Sequence, residues 1–462
     1  MTAAATTNNS TENKVITFGC RLNAYESEAI KEALKNSDQK NLVVFNSCAV
    51  TSEAERDLRQ AIRRTKRENP HAKIVVTGCA AQIDPQKYAQ MEEVDLVLGN
   101  VEKSKSASYE FQNHTAEISE KLLNSDSDIA HKDRIFFETK KAAANFLTPD
   151  ETAKIKVNDI MSVRDTAPQL VSYFENKTRA FLEIQNGCNH RCTFCIIPFG
   201  RGNSRSVAFG EIVSQTKKMV AAGHREVVFT GVDISGYGED LVVPITLSQM
   251  LKRLLALVPE LPRLRLSSID VAEIDEDFFE LLKTEPRLMP YLHLSVQSGD
   301  DIILKRMKRR HNRQQILEFC AKARQIRPDM TFGADIIAGF PTETDEMFEN
   351  SLRLISEVGI IFNHIFPYSK REGTPAAKMP QVNGKIIKQR AKLLRAAGQA
   401  ELEKFLKKQV GKNIKVIVEK DGIARAENFL EVKILGDSKK LKSSDLLEVK
   451  ACGVEGNFLT AE

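Results

Sequence analysis

Cysteine is scarce in this chain of 462 residues, which contains only eight. No uninterrupted apolar run comes close to the roughly 20 residues that a membrane-spanning helix needs. The first residues, MTAAATTNNSTEN, are polar and lack the apolar core of a secretory signal peptide. These absences predict a cytoplasmic protein without a membrane partner. In such reducing surroundings, clustered thiols bind metal or do chemistry more often than they form structural disulfides.

The composition is that of a globular protein, with 42% hydrophobic and 28% charged residues. The length is sufficient for about two to four domains with separate cores. A net charge of +5 permits a nucleic-acid partner but does not require one.

The N-terminal part of the chain alternates strand-like and helix-like segments. Each of its first three strand-like runs ends in a cysteine, namely Cys20, Cys48 or Cys79. Such alternation implies parallel strands, whose carboxyl ends meet at one edge of the sheet, so we expect the three thiols to converge. The alternative is that three buried cysteines end these strands by chance.

From Arg179 onward, strands and helices alternate again and predict a partial (β/α)6 barrel with its chemistry at the strand carboxyl ends. The strand candidates are AFLEIQ, EVVFTGVD, RLRLSSID, YLHLSVQ, FGADIIAGF and IFNHIFPYS. The last segment contains short strands separated by turns, which are typical of a small antiparallel β-barrel of the OB type. The predicted fold class is therefore α/β, with an N-terminal parallel α/β domain (14–125), a linker or insertion (126–173), the partial barrel (174–403) and the terminal barrel (404–462).

Three more cysteines, Cys188, Cys192 and Cys195, lie in the loop after the first strand of the predicted barrel. A [4Fe–4S] cluster normally takes four thiolates, so a triplet would leave one iron open to a small molecule. A zinc site is the alternative, but zinc sites usually show paired Cys or Cys/His motifs, and no second pair follows.

The spacing Cys-x3-Cys-x2-Cys, with Phe194 before the last cysteine, is the signature of the radical SAM superfamily. Along nearly its whole length the chain resembles the radical SAM methylthiotransferases, and most closely the branch that modifies N6-threonylcarbamoyladenosine in tRNA. The motifs that carry this resemblance are TFGCRLNAYESE, NSCAVT, TGCAAQ, LEIQNGCNHRCTFCIIPFGRGNSRS, TGVDISGYG, RLSSID, HLSVQSGDD and FPYSKREGTPAAKM.

The resemblance implies two [4Fe–4S] clusters and S-adenosylmethionine (SAM) as cofactors. Cys188, Cys192 and Cys195 would bind the cluster that cleaves SAM, and Cys20, Cys48 and Cys79 an auxiliary cluster implicated in sulfur delivery. One SAM would supply the radical and another the methyl group, turning a C–H bond into C–S–CH3. The SAM pocket is expected to include Phe194 against the adenine, with Gly231, Asp233, Gln297 and Ser298 nearby.

The expected RNA partner is the anticodon arm of tRNA, docked by the terminal barrel, which would be a TRAM domain. The densest basic run, KRMKRRHNR, follows a barrel strand and could contact phosphate through Lys305, Arg306 and Arg309. A solvated helix face explains such a run equally well. An electron donor and a sulfur donor would complete the set of partners.

Three other functions stay open from the sequence. The same chemistry could act on isopentenyladenosine of tRNA or on an aspartate of a ribosomal protein. A function of another class is a non-catalytic iron–sulfur protein that binds RNA and senses redox state.

Overall fold

The computed structural model describes residues 12–111, 154–164, 178–436 and 441–462. These residues form two compact units. The first comprises the described part of Met1–Ser162 together with Phe199–Arg201, and the second comprises the described parts of Val163–Pro198 and Gly202–Glu462.

The first unit is built on a five-stranded parallel sheet in the order β1-β2-β3-β4-β5. This confirms the parallel α/β prediction. The central strands are buried because they are continuous runs of β-branched and other apolar residues. The elements are β1 (Lys14–Thr17), α1 (Arg21–Lys35), β2 (Leu42–Ser47), α2 (Ser52–Glu68), β3 (Lys73–Gly78), α3 (Cys79–Ile83), α4 (Pro85–Ala89), β4 (Leu96–Leu98) and β5 (Ile155–Lys156).

Strand β5 lies in the segment that sequence analysis assigns to the 126–173 linker, yet it pairs in parallel with β4. The remainder of that segment, apart from residues 154–164, lies outside the described residues. A strand of only two residues carries too short a pattern to be recognised in the sequence.

The second unit contains an arc of parallel strands, as predicted. Two sheets form it, ordered β10-β9-β6 and β11-β12-β13-β14, and β10 also bridges to Leu288 immediately before β12. The strands are β6 (Arg179–Glu183), β7 (Gln185–Asn186), β8 (Arg205–Ser206), β9 (Glu226–Thr230), β10 (Arg263–Leu266), β11 (Ser268–Ile269), β12 (Tyr291–Gln297), β13 (Thr331–Ala338) and β14 (Ile360–Pro367); β7 and β8 form a separate antiparallel pair.

Helices alternate with these strands, and several begin at a side-chain cap, such as Thr246, Asp275 and Asn312, whose oxygens accept from backbone N–H groups of the first turn. The helices are α5 (Ile197–Arg201), α6 (Phe209–Ala221), α7 (Leu247–Leu257), α8 (Glu276–Thr284), α9 (Asp301–Met307), α10 (Arg313–Ile326), α11 (Asp345–Val358) and α12 (Gly384–Lys407). None of the helices in the described ranges is long and apolar enough to cross a membrane.

The C-terminal segment folds into a closed five-stranded barrel in the order β15-β16-β17-β19-β18, which confirms the expected small barrel. Its core includes Leu402 and Leu406 from α12, so this helix is packed into the barrel it precedes. The strands are β15 (Asn413–Val418), β16 (Ile423–Ala426), β17 (Glu431–Ile434), β18 (Leu446–Glu455) and β19 (Phe458–Ala461).

The turn between β16 and β17 contacts the amino-terminal end of the arc through Phe429. Its ring stacks on Tyr291 at the start of β12, with 4.4 Å between centroids and 13° between planes. The guanidinium carbons of Arg425, Arg265 and Arg179 lie 4.6, 5.1 and 5.4 Å from the same ring. The face of an aromatic ring attracts cations, so Phe429 offsets part of the free-energy cost of burying these arginines. The same ring covers the amino-terminal end of the arc.

An ion pair beneath Phe429 is buried completely. Arg265 donates from Nε and Nη2 to the two carboxylate oxygens of Glu226, both at 2.9 Å. Burial alone would raise the pKa of Glu226, but the Arg265 guanidinium outweighs it and holds the pKa below its ordinary value. The remaining guanidinium nitrogen of Arg265 donates to the Glu427 carbonyl oxygen at 2.9 Å, so the pair joins the arc to the C-terminal barrel.

Phe429 has a φ of +75°, a conformation that strains any side chain except glycine. Replacing it by alanine or glycine removes the same ring contacts and should cost about 3 kcal/mol of stability. The glycine variant should be the more stable of the two by about 1 kcal/mol, because it releases the backbone strain. Thermal unfolding and hydrogen exchange of β15–β19 would measure both effects. An alanine variant as stable as the glycine variant would contradict the strain.

Candidate active site

The cysteine triplet lies on the loop that follows β6 and β7. Backbone hydrogen bonds fix this loop, from Cys188 N to the Gly202 carbonyl at 3.1 Å and from Cys195 N to the Cys192 carbonyl at 3.0 Å. All three thiols are free and partly buried. The loop thus presents three sulfur donors from a stretch of eight positions.

N–H groups of the chain point at these sulfurs. The backbone N–H of His190 donates to Cys188 Sγ at 3.3 Å, and Nη1 of Arg309 donates to Cys192 Sγ at 3.6 Å. The backbone N–H of Ile197 acts on Cys195 and favours its thiolate form. Such donors suit sulfur that carries negative charge, as it does when bound to iron.

Without a metal, the thiols of Cys188 and Cys195 would stay protonated. Burial raises the pKa of Cys195 to about 12 and outweighs the backbone donor. Burial also raises the pKa of Cys188, and neighbouring Asp233, Cys195 and Cys192 raise it further. A bound metal is what can hold such thiols deprotonated together, so the donor set fits a cluster with three cysteine ligands.

His190 bears on the zinc alternative. Its Nε2 lies 2.9 Å from Asp233 and 3.1 Å from Glu273, and hydrogen bonds to these two carboxylates raise the pKa of His190 to about 10. A protonated imidazole cannot ligate a metal. A zinc site on Cys188, His190 and Asp233, which lie close enough for one, would also leave Cys192 and Cys195 without a role.

Arg309 is placed differently from the rest of the basic run. Its side chain is only 8% exposed, and its Nη2 donates to Asp270 and to the Ser295 carbonyl, each at 2.8 Å. This anchoring directs the other nitrogen at Cys192. By contrast, Lys305 and Arg306 are exposed on α9. The structure thus separates Arg309, beside the cysteine loop, from Lys305 and Arg306 at the surface.

Phe194 packs at the carboxyl end of the arc. Its ring meets Phe340 edge to face at 6.4 Å, and the loop is tied to α9 by the Thr193 N–H, which donates to the Met307 carbonyl at 3.1 Å. The apolar cluster around Phe194 contains Ile303, Met307, Ile337, Phe340 and Ala376.

The other predicted SAM-pocket residues form two groups. Asp233 and Gln297 make up the first, and Gly231 and Ser298, which are packed against neighbouring residues, make up the second. Asp233 faces the cysteine loop, with Cys188 Sγ 3.7 Å from its Oδ2, and Gln297 ends β12 with a φ of +67°. The space beside Gly231 is filled by Gln185, whose carbonyl oxygen would be 2.6 Å from an added Cβ. Ser298 is fully buried, and its Oγ lies 3.2 Å from Ser351 Oγ.

In the first unit, Cys20, Cys48 and Cys79 follow the carboxyl ends of β1, β2 and β3, and their thiols interact electrostatically. Gly19 makes the approach possible, because a Cβ there would lie 2.7 Å from Cys48 Cβ. Gly78 has a φ of +91°, and an added Cβ would lie 2.4 Å from the Ser47 carbonyl oxygen. The residue before two of the three cysteines must therefore be glycine.

A buried group of charges lies beside these thiols. Arg201 donates to both carboxylate oxygens of Glu26, at 2.6 and 2.9 Å, and to Asn23 Oδ1 at 2.7 Å. Lys103 Nζ lies 2.7 Å from the same Glu26 carboxylate. All three charged side chains are at most 2% exposed. Two basic side chains, Arg201 and Lys103, thus share one carboxylate next to the cysteines.

The pKa values indicate an ionised pair of Glu26 and Arg201, while burial lowers the pKa of Lys103. Although burial opposes it, Arg201 and Lys103 lower the pKa of Glu26 to about 2, so the carboxylate is ionised. Burial raises the pKa of Cys48 to about 12, and it raises that of Cys20 too, while the backbone N–H groups of Val50 and Asn23 act in the opposite direction. This donor set, like the first, suits thiolates held by a positively charged centre.

Sequence reasoning did not identify Arg201, Glu26 or Lys103. The spacing of Asn23, Glu26, Ile30 and Ala33 places polar and apolar side chains on one buried stripe of α1, and a buried carboxylate implies a buried cation. The sequence therefore indicates a buried cation near Glu26, but the residue that provides it depends on tertiary contacts.

The comparisons with known proteins agree with this geometry. A model described as "Radical SAM superfamily" matches residues 182–355, and one described as "Uncharacterized protein family UPF0004" matches residues 13–99. The cysteine loop on a parallel arc, with the first of these matches, defines a radical SAM enzyme.

The threonylcarbamoyladenosine tRNA methylthiotransferase MtaB of Rickettsia prowazekii (strain Madrid E) is 49% identical over 98% of this chain and 97% of its own. The protein of the same name from Aquifex aeolicus (strain VF5) is 35% identical over 90% and 95%. The chain belongs to the MtaB family of tRNA methylthiotransferases, as the resemblance predicted. Among solved structures, the radical SAM methyltransferase TsrM from Kitasatospora setae, with cobalamin and a [4Fe–4S] cluster bound, is 13% identical with a TM-score of 0.49 over 80% of this chain and 74% of that one.

Replacing Arg201 by methionine should destabilise the first unit by about 3 kcal/mol, because Glu26 would keep only Lys103 as a partner in a dry environment. Hydrogen exchange of β1–β3 and α1 would measure the loss. Arg64→Met, at an exposed position of α2, is the matched control and should change little. Equal protection in both variants would mean that the buried pair does not stabilise this unit.

Proposed function

We propose that this enzyme methylthiolates C2 of N6-threonylcarbamoyladenosine next to the anticodon of tRNA, using one SAM for the radical and one for the methyl group. The observation that carries the proposal is the 49% identity, over 98% of the chain, to a relative named for this reaction. The nature of the two cysteine sites supports it, since each combines three thiols with N–H donors or a buried cation.

In this proposal Cys188, Cys192 and Cys195 hold one [4Fe–4S] cluster, and Cys20, Cys48 and Cys79 hold the second. When bound, the first supplies the electron that cleaves SAM and the second carries the sulfur to be transferred. The open iron at each site follows from the number of ligands, since each set provides three thiols where a cluster has four irons.

Residues of the chain prepare the cysteine loop. Arg309, anchored on Asp270, keeps an N–H donor and a positive charge beside Cys192 Sγ. Phe194 and its apolar cluster exclude water and offer a flat face to the adenine of SAM. Asp233, Gly231, Gln297 and Ser298 complete the pocket, with Asp233 in direct contact with Cys188 and the buried Ser298 acting on the shape of the turn.

RNA binding is assigned to two surfaces. Lys305 and Arg306, exposed on α9, contact phosphate. Arg309, predicted with them, has a buried side chain and donates to Cys192 Sγ. The C-terminal barrel acts as a TRAM domain that docks the anticodon arm. The same proposal includes the domain bounds of 14–125, 174–403 and 404–462. It also includes a cytoplasmic location, and an electron donor and a sulfur donor as further partners.

The two cysteine sites should be separable by substitution. Cys192→Ala should abolish SAM cleavage, because the first cluster loses a ligand. Cys48→Ala should spare SAM cleavage and stop thiolation, because the second cluster serves only the sulfur. Deoxyadenosine and methylthiolated nucleoside are measured in the same reaction. Deoxyadenosine from Cys192→Ala, or equal loss of both products in Cys48→Ala, would contradict the division of roles.

Nucleoside mass spectrometry of tRNA from cells with and without the gene tests the substrate. Loss of 2-methylthio-N6-threonylcarbamoyladenosine alone is the expected result. Loss of the isopentenyl-type nucleoside would overturn the substrate while leaving the chemistry. An unchanged profile would reject tRNA as substrate and turn the assay to ribosomal protein.

A further inference from the structure

The inner face of the arc carries a polar layer that the cysteine loop does not use. On β13, Phe332 points outward, where Arg324 of α10 lies 4.8 Å from its ring. By strand alternation Gly333, Asp335 and Ile337 face inward. Ile337 belongs to the apolar cluster around Phe194, so Asp335 lies about 7 Å further from the arc's carboxyl end.

Two histidines flank Asp335 from the neighbouring strands. His293 Nε2 of β12 lies 3.0 Å from Asp335 Oδ1, and His364 Nδ1 of β14 lies 3.3 Å from the same oxygen. The two imidazole rings are 4.6 Å apart. Burial would raise the pKa of Asp335, but the hydrogen bonds from both histidines outweigh it and keep the pKa below its ordinary value. Asp335 is therefore an anion that orients both rings.

The two histidines differ in what remains free. His293 is buried, and its Nδ1 is also engaged, by Tyr291 OH at 2.9 Å. His364 is 56% exposed, and within the described residues its Nε2 has no hydrogen-bond partner. The polar layer thus presents one imidazole nitrogen, already fixed in orientation, to a ligand.

The position of this nitrogen limits what the ligand can be. Toward the carboxyl end of the arc lies the Phe194 cluster, assigned above to SAM. Toward the other end, Tyr291 is covered by the stacked ring of Phe429. A group that reaches His364 from the reacting base must therefore project inward by roughly two residues of strand, about 7 Å, and must offer a hydrogen-bond partner at its tip.

We propose that His364 binds the carboxylate of the threonine substituent on N6 of the adenine, and so selects this substrate against bases with an apolar substituent. The inference rests on the proposed function and names the group that its substrate pocket reads. With Nδ1–H donating to Asp335, the imidazolium form of His364 presents a second N–H at Nε2, and this charge-assisted donor suits a carboxylate. An isopentenyl group would leave the Nε2–H of His364 without a partner, and an unpaired polar group is the more effective basis of rejection.

The test compares two anticodon stem–loop RNAs that differ only in the carboxylate. One carries N6-threonylcarbamoyladenosine, and the other carries the N6-(2-hydroxypropylcarbamoyl) analogue, in which hydrogen replaces the carboxyl group. Dissociation constants and kcat/KM are measured with the enzyme holding both clusters. The wild type should prefer the carboxylate RNA by about 10- to 100-fold, the range of a charge-assisted hydrogen bond.

The variant His364→Ala should reduce this preference to near unity, and His364→Gln should retain part of it because an amide still donates. His71→Ala, at an exposed position of the first unit, is the matched control and should keep the full preference. Thermal unfolding of each variant verifies that it is folded. A His364→Ala enzyme that retains the wild-type preference would overturn the inference.

Two further results separate this inference from the proposed function. A wild-type enzyme that modifies only RNA with an isopentenyl group would reject the proposed function itself. A stoichiometric metal other than iron, present in the wild type and lost in His364→Ala, would overturn the carboxylate site in favour of metal binding by His293, Asp335 and His364, which lie within reach of one ion.

Discussion

The ion pair between Arg201 and Glu26 is the contact on which the N-terminal cysteine site depends. Three thiols converge at the edge of a sheet, and burial raises the pKa of Cys20 and Cys48. A guanidinium held by a carboxylate in two directions cannot turn away from them. Lys103 shares the same carboxylate, so Glu26 holds two basic side chains beside the thiols.

Buried arginines of the second unit are likewise held by carboxylates. Arg309 is held by Asp270 while it reaches Cys192, and Arg265 is held by Glu226 while it supports the Phe429 turn. In each case a carboxylate fixes a guanidinium, and the remaining N–H groups of that guanidinium donate to Cys192 Sγ or to the Glu427 carbonyl oxygen. Arginine suits this task because its planar fork binds a carboxylate and still presents further donors.

The sequence was sufficient for the longer strands, the parallel alternation and the convergence of Cys20, Cys48 and Cys79, because strand ends and cysteines are local features; the two-residue strand β5 carries too short a pattern. It placed Arg309 among phosphate contacts with Lys305 and Arg306, since a basic run does not reveal that one member turns inward. Arg201, Glu26 and Lys103 stand far apart in the chain, and their pairing appears only when the fold is known. Histidines on adjacent strands, such as His293 and His364, share a layer because of strand register, which the sequence alone does not fix.

Phe429 limits how freely this chain can exchange parts with its relatives. Its ring is held by residues of the arc on one side and by Arg425 of its own barrel on the other. A chimaera that joined a foreign C-terminal barrel at α12 would therefore lose the ring that covers the amino-terminal end of the arc, along with the native barrel. Exchange of the C-terminal barrel thus requires the β16–β17 turn and its arginine partners in the arc to be transferred together.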